Sequence, residues 1–340
     1  MEAYVADPEI FDLTIIGAGP TGIFTAFYAG LRGMRTKIIE ALPEPGGQLA
    51  VLYPEKLIYD VPGHPKILAK DLVQQLMQQV ALFQPEFVFG ERIETLTHVT
   101  ANDEDVWRLG SSGHAHLTRT VVITAGIGAF TPNRLDRPGI DAFEGEGVYY
   151  FVKDKRPFRG KRLLIVGGGD TAVDWCLNLK DWASEITLIH RRDEFRAHEA
   201  SLISLRMSDI PMLTHWELKR VHGADGQVTG ATIFENRTGE ERNLDVDAVL
   251  INIGFKASLG TISSWGLDLA DIRHIRTDGF MATNLPGVFA AGDIAAVDGS
   301  EPLNLIVTGF AQAAIAANAA RRVIDPAARL FPGHSSELRL

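Results

Sequence analysis

Two glycine turns of one design, Gly17-Ala-Gly-Pro-Thr-Gly22 and Gly167-Gly-Gly-Asp-Thr-Ala172, stand 150 residues apart, each between an apolar run and a helical pattern. The chemistry they suit is the binding of a pyrophosphate. Glycine lets the backbone turn tightly and come close to the phosphates, whose charge then rests on the N-terminus of the following helix. The runs leading in, Phe11-Asp-Leu-Thr-Ile-Ile16 and Arg162-Leu-Leu-Ile-Val166, read as buried parallel strands. Two such turns in strand and helix context imply two dinucleotide sites. Their candidate contacts are Gly17, Gly19, Thr21 and Gly22 at the first, and Gly167, Gly169, Asp170 and Thr171 at the second. The alternative is a pair of merely flexible loops.

The residues downstream of each turn bear on which nucleotide binds. Twenty-three residues after Gly17 comes Glu40, closing the strand Thr36-Lys-Ile-Ile-Glu40, where a carboxylate can accept hydrogen bonds from ribose hydroxyls. This site therefore suits a ribose without a 2′-phosphate. The same count of 23 from Gly167 reaches His190, followed by Arg191, Arg192 and, one helical turn on, Arg196. Guanidinium groups there would pair with the 2′-phosphate of NADP. A solvated basic face is the competing reading of those three arginines.

The elements that must hold these residues are visible along the chain. After Glu40 comes a turn-rich stretch, Pro43-Glu-Pro-Gly-Gly-Gln-Leu49, and then a helical pattern from about Ile67 to Phe83. Phe87 to Ile123 alternates as short antiparallel strands do and ends in a buried strand, Thr120 to Gly126. The second nucleotide unit has hairpins near Val228 to Phe234 and closes with Ala248 to Gly254. Thr283-Asn-Leu-Pro-Gly-Val-Phe-Ala-Ala-Gly-Asp293 and an Ala-rich helix from about Leu305 to Val323 have no partner there, so they return to the first unit and make it discontinuous. The expected domains are 1–126 with 287–340, and 127–286.

With 340 residues, 46% hydrophobic and 22% charged, the chain has room for two cores, and its net charge of −10 argues against a general nucleic-acid binder. The start, Met1-Glu-Ala-Tyr-Val-Ala-Asp7, is acidic, and no apolar run approaches bilayer length, so a cytoplasmic enzyme without membrane partners is the expectation. The one cysteine, Cys176, shares a predicted helix face with Ala172 and Leu179 and reads as a small core residue. No metal centre is expected.

The combination of Gly17 to Gly22, Thr120 to Gly126 and Thr283 to Asp293 resembles the flavoprotein disulfide reductase superfamily. That resemblance implies an α/β fold of two Rossmann-like, three-layer ββα nucleotide-binding domains, with the NADPH domain inserted into the FAD domain. It places Asp293 near the flavin ribityl and pyrophosphate, and aims the following helix at the flavin pyrimidine, where a reduced flavin carries negative charge. Within the superfamily, Gly167-Gly-Gly-Asp-Thr-Ala172 and His190-Arg-Arg-Asp-Glu-Phe-Arg-Ala197 are closest to low-molecular-weight thioredoxin reductases. The window that holds Cys-x-x-Cys in those enzymes reads Phe151-Val-Lys-Asp154, so no dithiol takes reducing equivalents from the flavin.

What remains resembles the thioredoxin-reductase-like class of ferredoxin–NADP⁺ reductases, along essentially the whole chain. The residues that carry this are Gly46-Gly-Gln-Leu49 with Tyr53-Pro-Glu-Lys56, Ile123 to Phe130, Gly167 to Trp175, and Pro332-Gly-His-Ser335. The resemblance implies that Tyr53 stacks on one flavin face and that His334, from a partner subunit's tail, stacks on the other with Ser335 near N5. It also implies that Gln48, Ile93 and Phe130 complete the FAD pocket, Ile93 by a backbone contact to adenine, and that the enzyme is a homodimer. The expected reaction passes a hydride from NADPH to FAD and single electrons onward to ferredoxin or flavodoxin, with domain rotation about crossings near Gly126 and Pro286. No general base is required; Tyr53, His334 and Ser335 shape the flavin environment. The basic stretch Lys153, Lys155, Arg156, Arg159, Lys161 and Arg162 is a candidate ferredoxin surface, or else a solvated loop. An NADPH oxidase or quinone reductase of the same architecture is the alternative activity, and a non-catalytic nucleotide sensor a third.

Overall fold

The computed structural model describes residues 9–330 and 333–334. The chain forms two compact units: the first comprises residues up to Val51, Leu57–Ala129 and the chain from Ala257 onward; the second comprises Leu52–Lys56 and Phe130–Lys256.

The first unit is organised around Ile10–Ile16, whose last four residues are all buried. It lies between Thr36–Glu40 on one side and Ala115–Ile123 on the other, parallel to both, with Ile16 level with Ile39 and Ile123. Glu86–Phe89 extends the sheet beyond Thr36–Glu40. Glu104–Gly110 and Thr95–Ala101 extend it antiparallel from Ala115–Ile123, on which the short strand Val288–Ala290 also pairs. The chain builds outward from this strand on one side through Thr36–Glu40 and Glu86–Phe89 and returns on its other side at Ala115–Ile123, so strand order reverses here, and open α/β sheets bind ligands outside the carboxyl ends of strands at such a point. Gly17 stands there.

Helix Pro20–Leu31 follows the turn and packs against Ile306–Ile324. Small residues allow the close approach: Ala313, Ala316, Ala317 and Ala320 are fully buried, and the Phe24 and Phe310 rings meet with centroids 5.0 Å apart. Helix Ile306–Ile324 thus belongs to the first unit. The helical pattern over 67–83 resolves into a short strand Ile67–Leu68, helix Ala69–Val80 and a 3₁₀ turn Ala81–Phe83.

The second unit repeats the plan. Arg162–Val166 lies between Glu185–His190 and Ala248–Ile251, parallel to both, with Met212–Thr214 and Val148–Tyr149 at the edges. Helix Asp170–Leu179 covers one face and buries Ala172, Val173, Trp175, Cys176 and Leu179. An antiparallel sheet of Trp216–Ala224, Gln227–Glu235 and Glu241–Leu244 accompanies it. Burial pushes the Cys176 thiol well above its ordinary pKa, so the residue is inert packing.

The boundaries differ from the expected ones in two places. Residues 257–286, expected in the second domain, belong to the first unit, because Leu259, Ile262, Trp265, Leu267 and Ile275 are buried in one cluster with Ile16, Ile123 and Val288. Trp265 Nε1 also donates to the Glu94 carbonyl at 2.9 Å, and Thr261 Oγ1 to that of Ile93 at 3.2 Å. The late crossing therefore falls within Phe255–Ser258 instead of near Pro286, and it pairs with the early one, Ala129–Pro132, which lies close to Gly126. Secondly, Leu52–Lys56 leaves the first unit for the second, where Lys56 forms an ion pair with Asp174 and Tyr53 packs against the core cluster that contains Val173, Trp175 and Cys176. The chain consequently crosses between units four times.

Candidate functional site

At the first switch point the three glycines differ in what they are for. Gly17 has φ +108°, and a Cβ there would lie 2.6 Å from the Thr124 carbonyl oxygen. A Cβ on Gly22 would come within 1.9 Å of the Gly17 carbonyl oxygen. Those two are glycine because the protein's own backbone fills the space. Gly19, at φ −72°, would meet nothing within 4 Å. Neither conformation nor packing demands glycine at Gly19, and the bare backbone borders open space suited to a phosphate.

Around this turn the structure gathers several of the residues picked out by sequence. Glu40 is buried; its Oε2 accepts from the Ala18 N–H at 2.7 Å and its Oε1 from the Leu42 N–H at 2.8 Å. Each oxygen keeps a further lone pair with which to meet a ribose hydroxyl. The Gly46 N–H donates to the Ala18 carbonyl at 2.8 Å, which sets the left-handed pair Gly46 and Gly47 against the turn and starts the short helix Gln48–Val51. From there Gln48 Nε2 donates to Asp293 Oδ2 at 3.3 Å. Burial raises the Asp293 pKa, and the Gln48 hydrogen bond opposes that rise. Asp293 follows the strand Val288–Ala290, and the Gly292 N–H before it is held by Gln312 Oε1 at 2.7 Å.

Thr21 does something the motif does not reveal. A Cβ on Gly309 or Gly292 would lie 2.3 or 2.8 Å from its Oγ1, so its side chain is turned toward the C-terminal helix. Thr124, which sequence reasoning left unassigned, donates from Oγ1 to the Gly17 carbonyl at 2.8 Å and clamps the turn. The Ile93 side chain is buried and its carbonyl takes the Thr261 hydroxyl. Tyr53 is grouped with the second unit, the Lys56 ammonium 5.6 Å from its ring centroid. Phe130 lies in the crossing strand Ala129–Pro132, His334 is exposed, and Ser335 lies outside the described residues.

The second switch point matches the first at its first and middle glycine positions, while Ala172 stands where the first has Gly22. Gly167 has φ +155°, and its Cβ would lie 2.2 Å from the Asn252 carbonyl oxygen, as that of Gly17 would from Thr124. Gly169 would meet nothing within 4 Å. His190 occupies the register of Glu40 and also touches the middle of its turn: a Cβ on Gly168 would lie 2.3 Å from the His190 ring. Asp170 Oδ1 accepts from the His198 N–H at 2.8 Å, and the Arg196 N–H donates to the Gly168 carbonyl at 2.8 Å. Asp170 therefore fastens the arginine segment to the glycine turn. Thr171 follows it in the first turn of the helix.

Arg191, Arg192 and Arg196 are exposed, and none makes an ion pair or a side-chain hydrogen bond among the described residues. Several other arginines on this acidic protein do have partners. Within the stretch 153–162, Arg156 pairs with Asp154, Arg162 with Asp247, and Arg159 lies 4.6 Å over the Trp182 ring. Burial lowers the His190 pKa; the Glu194 carbonyl opposes this and the three arginines lower it further. Three guanidinium groups without ion-pair partners among the described residues are chemically suited to a dianion.

Both crevices thus fit a dinucleotide, with an open cradle at Gly19 and Gly169 that a Cβ would fill. The second holds in addition a buried acceptor, Asn252 Oδ1, without a partner among the described residues.

Comparison with known proteins agrees with this geometry. The sequence profile of the family described as pyridine nucleotide-disulphide oxidoreductase matches residues 11–320. The chain is 51% identical over 333 residues to a ferredoxin–NADP reductase of Symbiobacterium thermophilum, covering 97% of this chain and 98% of that one. It is 52% identical over 331 residues to one of Thermus thermophilus, covering 96% of each. Among solved structures it is similar to thioredoxin reductase of Lactococcus lactis, with TM-score 0.77 and 26% identity over 92% of this chain and 99% of that one. The thioredoxin reductase of T. acidophilum, at TM-score 0.76 and 23% identity over 92% of this chain and 97% of that one, shares the fold.

Proposed function

The chain belongs to the pyridine nucleotide-disulphide oxidoreductase family, and on that premise we propose that it moves electrons between NADPH and ferredoxin as an FAD-dependent oxidoreductase. The observation that carries the reading is its likeness, at about half of all positions and nearly full length, to proteins named ferredoxin–NADP reductase. Two further facts support it. The sequence has a single cysteine, which is buried and inert, so the dithiol step of a thioredoxin reductase has no residues to run on. The second crevice, unlike the first, offers unpaired arginines where a 2′-phosphate would lie.

In this reading the first crevice holds FAD, with Gly17, Gly19 and Gly22 at the pyrophosphate, Glu40 at the adenine ribose, and Gln48 and Asp293 toward the flavin. The second holds NADPH on Gly167 and Gly169, with its 2′-phosphate on Arg191, Arg192 and Arg196. Bound flavin supplies the exchange between a two-electron hydride donor and a one-electron carrier. The protein's part is to hold and orient the two nucleotides and to exclude water, and it requires no general base. Tyr53, His334 and Ser335 are assigned, with Ile93 and Phe130, to the flavin environment. The homodimer that brings a partner's tail to the flavin, a flavodoxin as second acceptor and a cytoplasmic location complete the proposal. No helix among the described residues is long and apolar enough to cross a membrane.

The test is anaerobic mixing with NADPH. The yellow chromophore bleaches, faster than with NADH, and added ferredoxin restores it while becoming reduced. Turnover with oxygen or a quinone that equals turnover with ferredoxin on the same preparation would favour the oxidase instead.

A second expectation concerns His190, whose pKa lies below that of an exposed histidine, first through burial and then through the arginines. The folded protein therefore prefers the neutral ring, and this residue's effect is to lower stability as pH falls through the ordinary histidine range toward the depressed value. A phosphate dianion beside the three guanidiniums offsets their repulsion. Titration followed by NMR should show the His190 pKa rising when adenosine 2′,5′-bisphosphate binds and staying put with adenosine 5′-phosphate.

A further inference from the structure

The segment that carries the three arginines has no regular secondary structure: between the end of the strand at His190 and the helix that starts at Glu199 the chain only bends. Phe195 and Ala197 pack against the core of the second unit and so anchor its far half, and a few hydrogen bonds place the rest. Near its far end the Arg196 and His198 N–H groups are tied to the glycine turn, through the Gly168 carbonyl and Asp170 Oδ1. In its middle, His190 Nε2 donates to the Glu194 carbonyl at 3.0 Å. At its near end one side chain from elsewhere reaches it: Asn236 Nδ2 donates to the Arg191 carbonyl at 2.9 Å.

Asn236 is itself fixed. It comes directly after the strand Gln227–Glu235, its own N–H donates to the His215 carbonyl at 2.8 Å, and the second hydrogen of its Nδ2 goes to Glu217 Oε1 at 3.0 Å. Both acceptors are oxygens, one of them a carboxylate. A rotated amide would set Oδ1 against both, so the orientation with nitrogen toward Arg191 is dictated by its surroundings. The preceding Glu235 is buried and held to a pKa of about 2 by Arg237, whose guanidinium it binds, and by the N–H groups of Arg237 and Thr238, which anchors the turn on its other side.

We propose that Asn236 is a positioning residue for nucleotide discrimination, holding the Arg191 peptide so that its carbonyl faces the hairpin and its guanidinium stays at the 2′-phosphate. This rests on the reading of Arg191, Arg192 and Arg196 as the phosphate receptor. Two electrostatic effects act together. A carbonyl oxygen free to turn toward a phosphate repels it, and Asn236 occupies that oxygen. The same amide hydrogen-bonds the Glu217 carboxylate and so satisfies one acidic group on the hairpin side of the segment. The phosphate touches Arg191 and not Asn236, so the effect is indirect and specific to the phosphorylated nucleotide.

The experiment compares NADPH and NADH steady-state kinetics of the flavin-loaded enzyme for the wild type, Asn236→Ala, Asn236→Asp and Arg191→Ala, with adenosine 2′,5′-bisphosphate binding by calorimetry as a readout independent of turnover. In Asn236→Ala the KM ratio of NADPH to NADH rises five- to twenty-fold and the bisphosphate Kd rises in parallel, with kcat for NADPH nearly unchanged. Asn236→Asp, which places a second carboxylate beside the Arg191 carbonyl and Glu217, is worse than alanine. Equal losses with NADPH and NADH in both Asn236 variants mean a purely structural role and overturn the inference. So does an unchanged ratio in them while Arg191→Ala shifts it. If Arg191→Ala leaves the ratio unchanged as well, the phosphate-receptor reading itself falls.

Discussion

Replacing Arg191 and Arg192 together by alanine should raise the KM for NADPH about 100-fold while leaving that for NADH within about three-fold of the wild type. Hydrogen bonds to a charged partner contribute about 1.5–3 kcal/mol each. Both side chains are exposed, and solvent and salt screen them, so about 1.5 kcal/mol apiece is the appropriate figure. Two such losses make about 3 kcal/mol, close to two decades in affinity. The fold has little at stake, since neither guanidinium has an ion-pair partner among the described residues whose loss would leave a charge behind. Salt provides an internal control. The wild-type KM for NADPH should climb more steeply with ionic strength than that of the double variant, which keeps only Arg196 of the three screened groups. Equal losses with both nucleotides would mean that the arginines hold the loop and not the phosphate. Arg196→Ala should be milder, since the backbone N–H that ties it to Gly168 survives the change.

The parts of this protein that could be read from its sequence are those governed by neighbours along the chain. Ile10–Ile16 and Arg162–Val166 are runs of apolar residues bounded by a glycine that must take positive φ, and both emerged as central strands. The count of 23 residues to Glu40 and to His190 works because strand, turn, helix and return strand have nearly fixed lengths in this unit. In both cases the residue at that count touches the middle of its glycine turn. What escaped depends on partners remote in sequence. Nothing near Leu259, Ile262 or Trp265 announces that they pack beneath the first sheet, since the signal is only their apolarity and either core could take them. Tyr53 by itself reads as an ordinary half-buried aromatic, and only the Lys56–Asp174 pair, spanning 118 positions, reveals that its segment is grouped with the second unit. Asn236 carries no local mark at all: its importance comes from the bend after His190 arriving at a hairpin tip 45 residues later.

The same distinction separates the glycines of a single motif and gives the other large effect. Gly22→Ala should damage the first unit itself, and Gly19→Ala only its ligand. The methyl group on residue 22 would sit 1.9 Å from the Gly17 carbonyl oxygen and 2.7 Å from Thr124 Oγ1, inside a turn already clamped by the Thr124 hydrogen bond. Backbone cannot rotate out of the way as a side chain can, so the helix must move off the strand. Overpacking of this kind costs about 1–3 kcal/mol or more, outweighing the roughly 1 kcal/mol gained in helix propensity. At about 2–4 °C per kcal/mol for a domain of this size, the melting temperature should fall by several degrees. On residue 19 the methyl meets nothing within 4 Å at an ordinary φ of −72°, so the loss is confined to a weaker helix cap, about 0.5–1 kcal/mol. It does, however, occupy the face on which a pyrophosphate would lie. Purified Gly19→Ala should therefore melt within about 3 °C of the wild type when both are stripped of flavin, yet rebind FAD at least ten-fold more weakly. Gly22→Ala should lose both stability and flavin. A Gly19→Ala protein that keeps a full complement of FAD would remove the pyrophosphate from this turn, and with it the assignment of the first crevice. The parallel pair Gly169→Ala and Gly167→Ala should separate in the same way, with NADPH in place of FAD, because the Cβ at 167 would lie 2.2 Å from the Asn252 carbonyl oxygen and that at 169 in open space.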